Sequence, residues 1–368
     1  MTAARRLPLL EQRRAELELC VYCPKLCRAA CPVSNAEPRE VLIPWGKMST
    51  AYFMARGMAA TDAPHAATAW ACTGCGACSE QRCDHHNDVA GTLLDARAWH
   101  LTEGRAPAAA QRVAERFARQ GRRVRAAAER LSSEVGAEAG GKAFLAGCTY
   151  TRALPGVARD AARVAQALVG PIKPIGACCG RPLLEAGDQA AFAEAAGAFV
   201  REAGGPSSEV VVADPGCART LIESYPRVDA ALSLRVILLV DVAAAELGRL
   251  RPLASPPSVL RYHDPCHLGR GLGRYEGPRA LLSRLSGRAP AELPDSRRAS
   301  ICSGGGGLLP ATMPEVSKTI ARARAEEHRA AGGGTLVTAC ASSTLALRRA
   351  GERAVDLFEL VARGVGVP

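Results

Sequence analysis

The chain has 368 residues, room for two or three domains; 48 % are hydrophobic and only 4 % aromatic, so its cores must be packed with small and aliphatic side chains. A net charge of +11 fits an acidic protein partner, an anionic membrane face or nucleic acid. Fifteen cysteines is a high and odd count; their clustered spacing argues against a disulfide framework and for metal or cluster ligation in a reducing compartment.

The N-terminus, MTAARRLPLLEQRR, has no apolar core of the kind a signal peptide needs. The longest apolar run, residues 232–247, is broken by Arg235 and Asp241 and is too short and too charged to span a bilayer. A cytoplasmic location is therefore expected, with docking at the inner face of a membrane as its variant.

Residues 11–19 predict a short helix that leads into CVYCPKLCRAACP. There Cys20, Cys23, Cys27 and Cys31 are spaced C-x2-C-x3-C-x3-C with a proline directly after. A second run, CTGCGACSEQRC, holds Cys72, Cys75, Cys78 and Cys83. Iron–sulfur clusters take thiolates from a tight loop plus one more nearby, as in the ferredoxin spacing C-x2-C-x2-C-x3-C-P. The first run has one extra residue in its second gap, and the second run has one extra in its last. Paired zinc sites are the alternative, but zinc knots space two C-x2-C pairs across a longer loop. His85 and His86, after Cys83, are expected in an exposed loop.

Helices are predicted over 46–57 and from Asp88 to Leu101. Residues 1–101 thus form a small α-helical domain organised by its cysteines and their cofactors. Residues 102–142 form a basic helical linker with an apolar stripe at Val113, Phe117, Val124 and Leu131, and Gly121 is expected to break or kink it. Between Arg105 and Arg130 it holds eight Arg and two Glu. A solvated face or a dock for an acidic partner explains this charge. Nucleic acid does not, because no aromatic stacking platform accompanies it.

From Lys142 onward short apolar runs alternate with helical stretches: AFLAG, VVVAD, VLRYHD and TLVTA, each followed by a helix. That is the pattern of parallel strands with crossover helices. It is also a duplication. Cys148, Cys178-Cys179-Gly180 and Cys217 recur as Cys266, Cys302-Ser303-Gly304 and Cys340, at offsets of 118, 124 and 123 residues. The first cysteine of each copy ends a strand and the third sits where a strand turns into a helix, so the thiols lie at helix N-termini, which favour thiolate. Each copy closes on a stretch expected to be helical, VILLVDVAAAEL and VDLFELVARGVG. The overall class is α+β: a first copy over 143–250 and a second over 251–368. The glycines 304–307 lack the Lys-Ser/Thr of a P-loop and suggest close backbone approach instead, and GRGLG at 269–273 is no nucleotide fingerprint. His263 and His267 flank Cys266 as ligands or hydrogen-bonding groups.

YHDPCHLGRGLGRYEGPRALL and CSGGGG resemble the second repeat of the cysteine-rich CCG domain pair of heterodisulfide reductase catalytic subunits. That pair also occurs in iron–sulfur subunits of glycolate, lactate and anaerobic glycerol-3-phosphate dehydrogenases. The first hundred residues look like the α-helical ferredoxin domain often fused ahead of it. The resemblance implies one [4Fe–4S] cluster on Cys20, Cys23, Cys27 and Cys83 and another on Cys72, Cys75, Cys78 and Cys31, because the fourth cysteine of each run serves the other cluster. In heterodisulfide reductases each repeat holds a noncubane cluster through a lone Cys, a Cys-Cys pair and a final Cys-x-x-Cys. Here Thr220 and Ser343 stand at the last position and Ser303 replaces half of the second pair. Cys148, Cys178, Cys179 and Cys217 remain as a third-cluster set, and Cys266, Cys302 and Cys340 as a partial one.

Two functions follow. One is an electron-transfer subunit passing electrons between a flavoprotein dehydrogenase or oxidase partner and an acceptor, with a membrane-associated or quinone-linked protein as a further partner. The other is a disulfide reductase with its active site between the two repeats, against which the missing cysteines count. A redox sensor has no DNA-binding motif to support it.

Overall fold

The computed structural model describes residues 8–138 and 140–366. The described residues up to 102 are helical, joined by turns and loops. Helices Arg14–Val21, Pro44–Ala55 and Val89–Thr102 pack around Leu17, Met48, Trp70, Leu93 and Trp99. Each expected helix is present with its ends shifted by a few residues; Pro44 starts the second, since its fixed φ suits a first helical position.

The basic segment is one helix, Ala108–Val135. Gly121 lies inside it without breaking it, contrary to the expected break. The reason lies in packing. Val124, Ala127, Ala128 and Leu131 are buried, so tertiary contact offsets the roughly 1 kcal/mol that an interior glycine costs. Gly136 ends the helix in the left-handed conformation.

The remainder is two four-stranded parallel sheets of identical topology. β1 (Lys142–Leu145), β2 (Ile172–Pro174), β3 (Glu209–Val212) and β4 (Arg235–Leu238) lie in the order β2-β1-β3-β4. β5 (Leu260–Tyr262), β6 (Ala291–Glu292), β7 (Thr335–Thr338) and β8 (Ala354–Asp356) repeat it as β6-β5-β7-β8. The closing stretches begin as edge strands, not helices. Val236–Leu238 pairs with β3 and Ala354–Asp356 with β7 before the chain turns helical. Periodicity cannot separate a short buried strand from the helix that follows it.

The two repeats share one continuous core. Ala158, Ala161, Ala162 and Ala165 on helix Pro155–Val169 let it pack closely against helix Leu357–Gly364 of the other repeat. The Tyr150 hydroxyl donates across this seam to Asp356 Oδ2 at 2.6 Å, and Thr344 donates to the same oxygen. Burial lifts the Asp356 carboxyl from 3.8 to about 7. The folded chain thus keeps a proton that the unfolded chain has released between about pH 4 and about pH 7, so stability falls as pH rises through that window. The slope is at most about 1.4 kcal/mol per pH unit. Denaturant unfolding between about pH 5 and about pH 8 is expected to show this decline in the wild type and not in Asp356→Asn. Equal slopes in the two proteins would show that this carboxyl titrates normally.

Candidate iron–sulfur centres

Five thiols line a first cavity of about 140 Å3: Cys20, Cys23, Cys27 and Cys83, with Cys78 at its edge. Cys20 comes from the end of helix Arg14–Val21, Cys23 from the turn after it, Cys27 from the short turn Leu26–Ala30, and Cys83 from the end of the second run, just after helix Ala77–Gln81. Asn87 Nδ2 donates to Cys20 Sγ at 3.1 Å and the Trp45 backbone N–H points at Cys27. Burial pushes the Cys20 thiol up to about 12, and the neighbouring Cys27, Cys83 and Cys23 add to the shift. Four such sulfurs cannot ionise together in a buried site unless a cation compensates them, and a coordinated thiol is deprotonated outright.

Cys31, Cys72, Cys75 and Cys78 line a second, narrower cavity together with Lys47. Lys47 Nζ is 3.4 Å from Cys31 Sγ. Burial works against its ammonium, but the Cys31, Cys72 and Cys78 sulfurs outweigh that and hold it above its ordinary range. Burial and the neighbouring Cys31 and Cys72 raise the Cys78 thiol well above normal. Cys83 thus lies near Cys20, Cys23 and Cys27, Cys31 lies near Cys72 and Cys78, and Cys78 borders both cavities. Among the described residues no three His, Cys, Asp or Glu side chains converge on a point that would hold a single ion.

In the first repeat the four remaining cysteines form a chain. Cys178 lies between Cys148 and Cys179, and Cys179 Sγ donates to Cys217 Sγ at 3.4 Å. Gly147, at φ +104°, makes this possible: a Cβ there would lie 2.9 Å from the Asp214 side chain and 3.5 Å from Cys217 Sγ. Thr220, at the position of a lost ligand, donates its hydroxyl to Gly216 O.

The second repeat is arranged differently. Cys302 lies between Cys266 and Cys75, so a cysteine of the N-terminal domain joins the thiols of this repeat. The hydrogen bond from Cys302, acting against burial, lowers Cys75 to about 5, with Arg270 assisting. Ser303 and Ser343 pair with each other at 3.0 Å in a buried spot. Cys340 hydrogen-bonds with Ser343, and burial pushes its thiol up to about 12. His267 touches Cys266 and also contacts Arg181 and Arg219, whereas His263 accepts from Arg324. His85 and His86 are exposed, as expected.

One side chain clamps all three parts. The Arg97 guanidinium, 2 % exposed, donates to the carbonyls of Ala69, Cys72, Glu185 and Gly307. The 304–307 glycines explain themselves here: a Cβ on Gly307 would stand 2.1 Å from Cys72 O, and one on Gly306 2.6 Å from Thr73 O. The backbone approaches the second cysteine run itself.

The sequence gives little warning of Lys47, Asn87, Arg97 or the Cys75–Cys302 contact. The one available signal is a lysine set among apolar residues in PWGKMSTAYFMA.

A 4Fe-4S dicluster domain model matches residues 16–87, and a cysteine-rich CCG domain model matches 142–222 and again 260–348. The chain is a 4Fe–4S dicluster domain followed by two CCG domains. The dicluster domain makes two [4Fe–4S] clusters its cofactors, and its two sets of four buried or half-buried thiols fit that requirement. The chain is 28 % identical over 278 residues to a fumarate reductase (CoM/CoB) subunit of Methanothermobacter marburgensis, covering 74 % of this chain and 55 % of that protein. It is 28 % identical over 171 residues to a dihydromethanophenazine:CoB–CoM heterodisulfide reductase subunit of Methanosarcina barkeri, covering 44 % and 42 %. Lactate utilization protein A of Bacillus thuringiensis is 25 % identical over 177 residues, 44 % of this chain and 70 % of that one. The chain spans about half the length of the first two. Among the described residues no helix is long and apolar enough to cross a membrane.

Proposed function

We propose that the chain is the iron–sulfur electron-transfer subunit of an oxidoreductase complex. It connects a flavoprotein partner to an acceptor reached through the CCG repeats. The observation that carries this reading is the contact between Cys75, in the second cysteine run, and Cys302 in the second repeat. It gives the N-terminal domain a direct route into the rest of the chain. Cys20, Cys23, Cys27 and Cys83 would hold one cluster and Cys72, Cys75, Cys78 and Cys31 the other. The clusters supply one-electron chemistry at potentials that hydrogen bonds and burial tune. The protein's part is to orient the thiols, exclude water and place charge beside them.

The continuous thiol chain Cys148–Cys178–Cys179–Cys217 supports a further cluster in the first repeat. In the second repeat the mutually hydrogen-bonded Ser303 and Ser343 leave Cys266, Cys302 and Cys340 as an incomplete set, because a hydroxyl is a poorer iron ligand than a thiolate. This weighs against a heterodisulfide-type reductase, which would need both sites. The domain limits follow the same logic: cluster domain to residue 101, helical connector to 142, then repeats meeting near residue 250.

Iron and acid-labile sulfide per chain, after anaerobic reconstitution and with EPR, test the reading. About eight irons with matching sulfide are expected from the N-terminal domain alone, and clearly more if the first repeat is loaded. Zinc without sulfide would overturn it.

A further inference from the structure

The two cluster sites differ in their electrostatic surroundings. The inner site, formed by Cys31, Cys72, Cys75 and Cys78, has two buried cations beside it, Lys47 and Arg97, and a half-buried one, Arg270. Lys47, 2 % exposed, places Nζ 3.4 Å from Cys31 Sγ, and its charge also acts on Cys72 and Cys78. Arg97 donates to Cys72 O at 2.8 Å and acts on the Cys72 sulfur. Arg270 donates to Cys75 O at 2.8 Å and acts on Cys75, Cys266 and Cys302.

The outer site, formed by Cys20, Cys23, Cys27 and Cys83, is served by neutral donors, the Asn87 amide and the Trp45 N–H. The charged groups at its mouth, Arg82 and Asp84, are exposed and opposite in sign, and solvent and salt screen them. Leu19 and Leu26 line this mouth, and with Tyr22 they are 38 %, 56 % and 81 % exposed respectively. The outer site therefore faces the surface and the inner one faces the repeats.

A cluster gains one negative charge on reduction. Buried positive charge beside it stabilises the reduced form and raises the potential, whereas screened surface charge does little. We infer that the inner site is held at the higher potential, so that the fold itself sets the direction of electron flow. One electron given up by a reduced flavin partner would enter at the outer site and come to rest at the inner one, beside Cys75 and Cys302, so the flavin loses the electron that the inner site gains. No bond forms or breaks in the transfer. The inference rests on the two-cluster reading above.

An EPR-monitored redox titration of the reconstituted full chain tests it. Two waves are expected from the dicluster domain, apart from any that a loaded first repeat adds. Lys47→Met lowers the higher-potential wave and leaves the other in place, while Lys47→Arg keeps it near the wild-type position. A tenfold loss in the reduction equilibrium corresponds to about 59 mV for one electron, and a shift of at least that size is expected. Arg270→Gln shifts the same wave in the same direction, and it carries the test if Lys47→Met does not load its cluster. A Lys47→Met shift confined to the lower-potential wave, or shifts in neither variant, would overturn the inference. Failure of the two-cluster reading looks different: no acid-labile sulfide and no cluster signal in the wild type.

Discussion

Cys31→Ser is expected to remove the cluster of the second run, not that of the run in which Cys31 sits. Cys31 caps the turn Pro32–Ala36, is 6 % exposed, and packs beside Ala71. Its sulfur accepts from Lys47, and Lys47 in turn acts on Cys72 and Cys78. Cys83→Ser is the mirror case, because Cys83 lines the cavity of Cys20, Cys23 and Cys27. Each substitution is expected to cost roughly half of the dicluster domain's iron and one of its two EPR signals. The signal lost in Cys31→Ser should match that lost in Cys78→Ser, and the signal lost in Cys83→Ser that lost in Cys27→Ser. If Cys31→Ser instead removes the same signal as Cys27→Ser, the crossed assignment is wrong. With crossed ligands neither run could load alone, which would make cluster insertion and folding of the N-terminal domain one process.

The two cysteine runs were legible because their spacing survives as sequence, and a dicluster domain model matches them. The same holds for the duplication: offsets of 118, 124 and 123 residues between equivalent cysteines foretell two sheets with identical strand order. What stayed hidden depends on contacts distant in sequence. Cys75 and Cys302 are brought together by the Arg97 clamp and by the bare backbone at Gly306 and Gly307, and no local pattern encodes that meeting. Lys47 looked like one more residue of a helix; burial beside Cys31 turns it into a charge aimed at sulfur. Gly121 misled in the opposite sense, because local propensity argued for a break that the packing of Val124, Ala128 and Leu131 overrules. The edge strands β4 and β8 were absorbed into the helices that follow them because both are apolar and short. Ser303 and Ser343 were legible as departures, but their pairing with each other was not.

Arg279→Met is expected to destabilise the second repeat by about 3–5 kcal/mol. Asp264 follows β5 by two residues, in the turn that leads through Pro265 to Cys266, and its side chain is 2 % exposed. Arg279 holds it with two parallel hydrogen bonds of 2.7 and 2.8 Å and grips Glu292 in the same way on its other side. The Arg297 N–H also donates to Asp264 Oδ2 at 2.8 Å, which binds the following loop to the same carboxylate. Removing the guanidinium leaves a buried charge with one backbone donor, a much larger cost than losing a surface pair. The fall in denaturant midpoint, converted through the unfolding slope, measures it. The double variant Asp264→Leu with Arg279→Met is expected to recover a good part of the loss, because apolar replacement of both partners removes the stranded charge. A single-variant loss below about 1 kcal/mol would show that this pair behaves as a surface pair. The pair also reaches the thiols. It fixes the turn that carries Cys266, so Arg279→Met should loosen the Cys266–Cys302–Cys75 contact and speed alkylation of Cys266 in the native state.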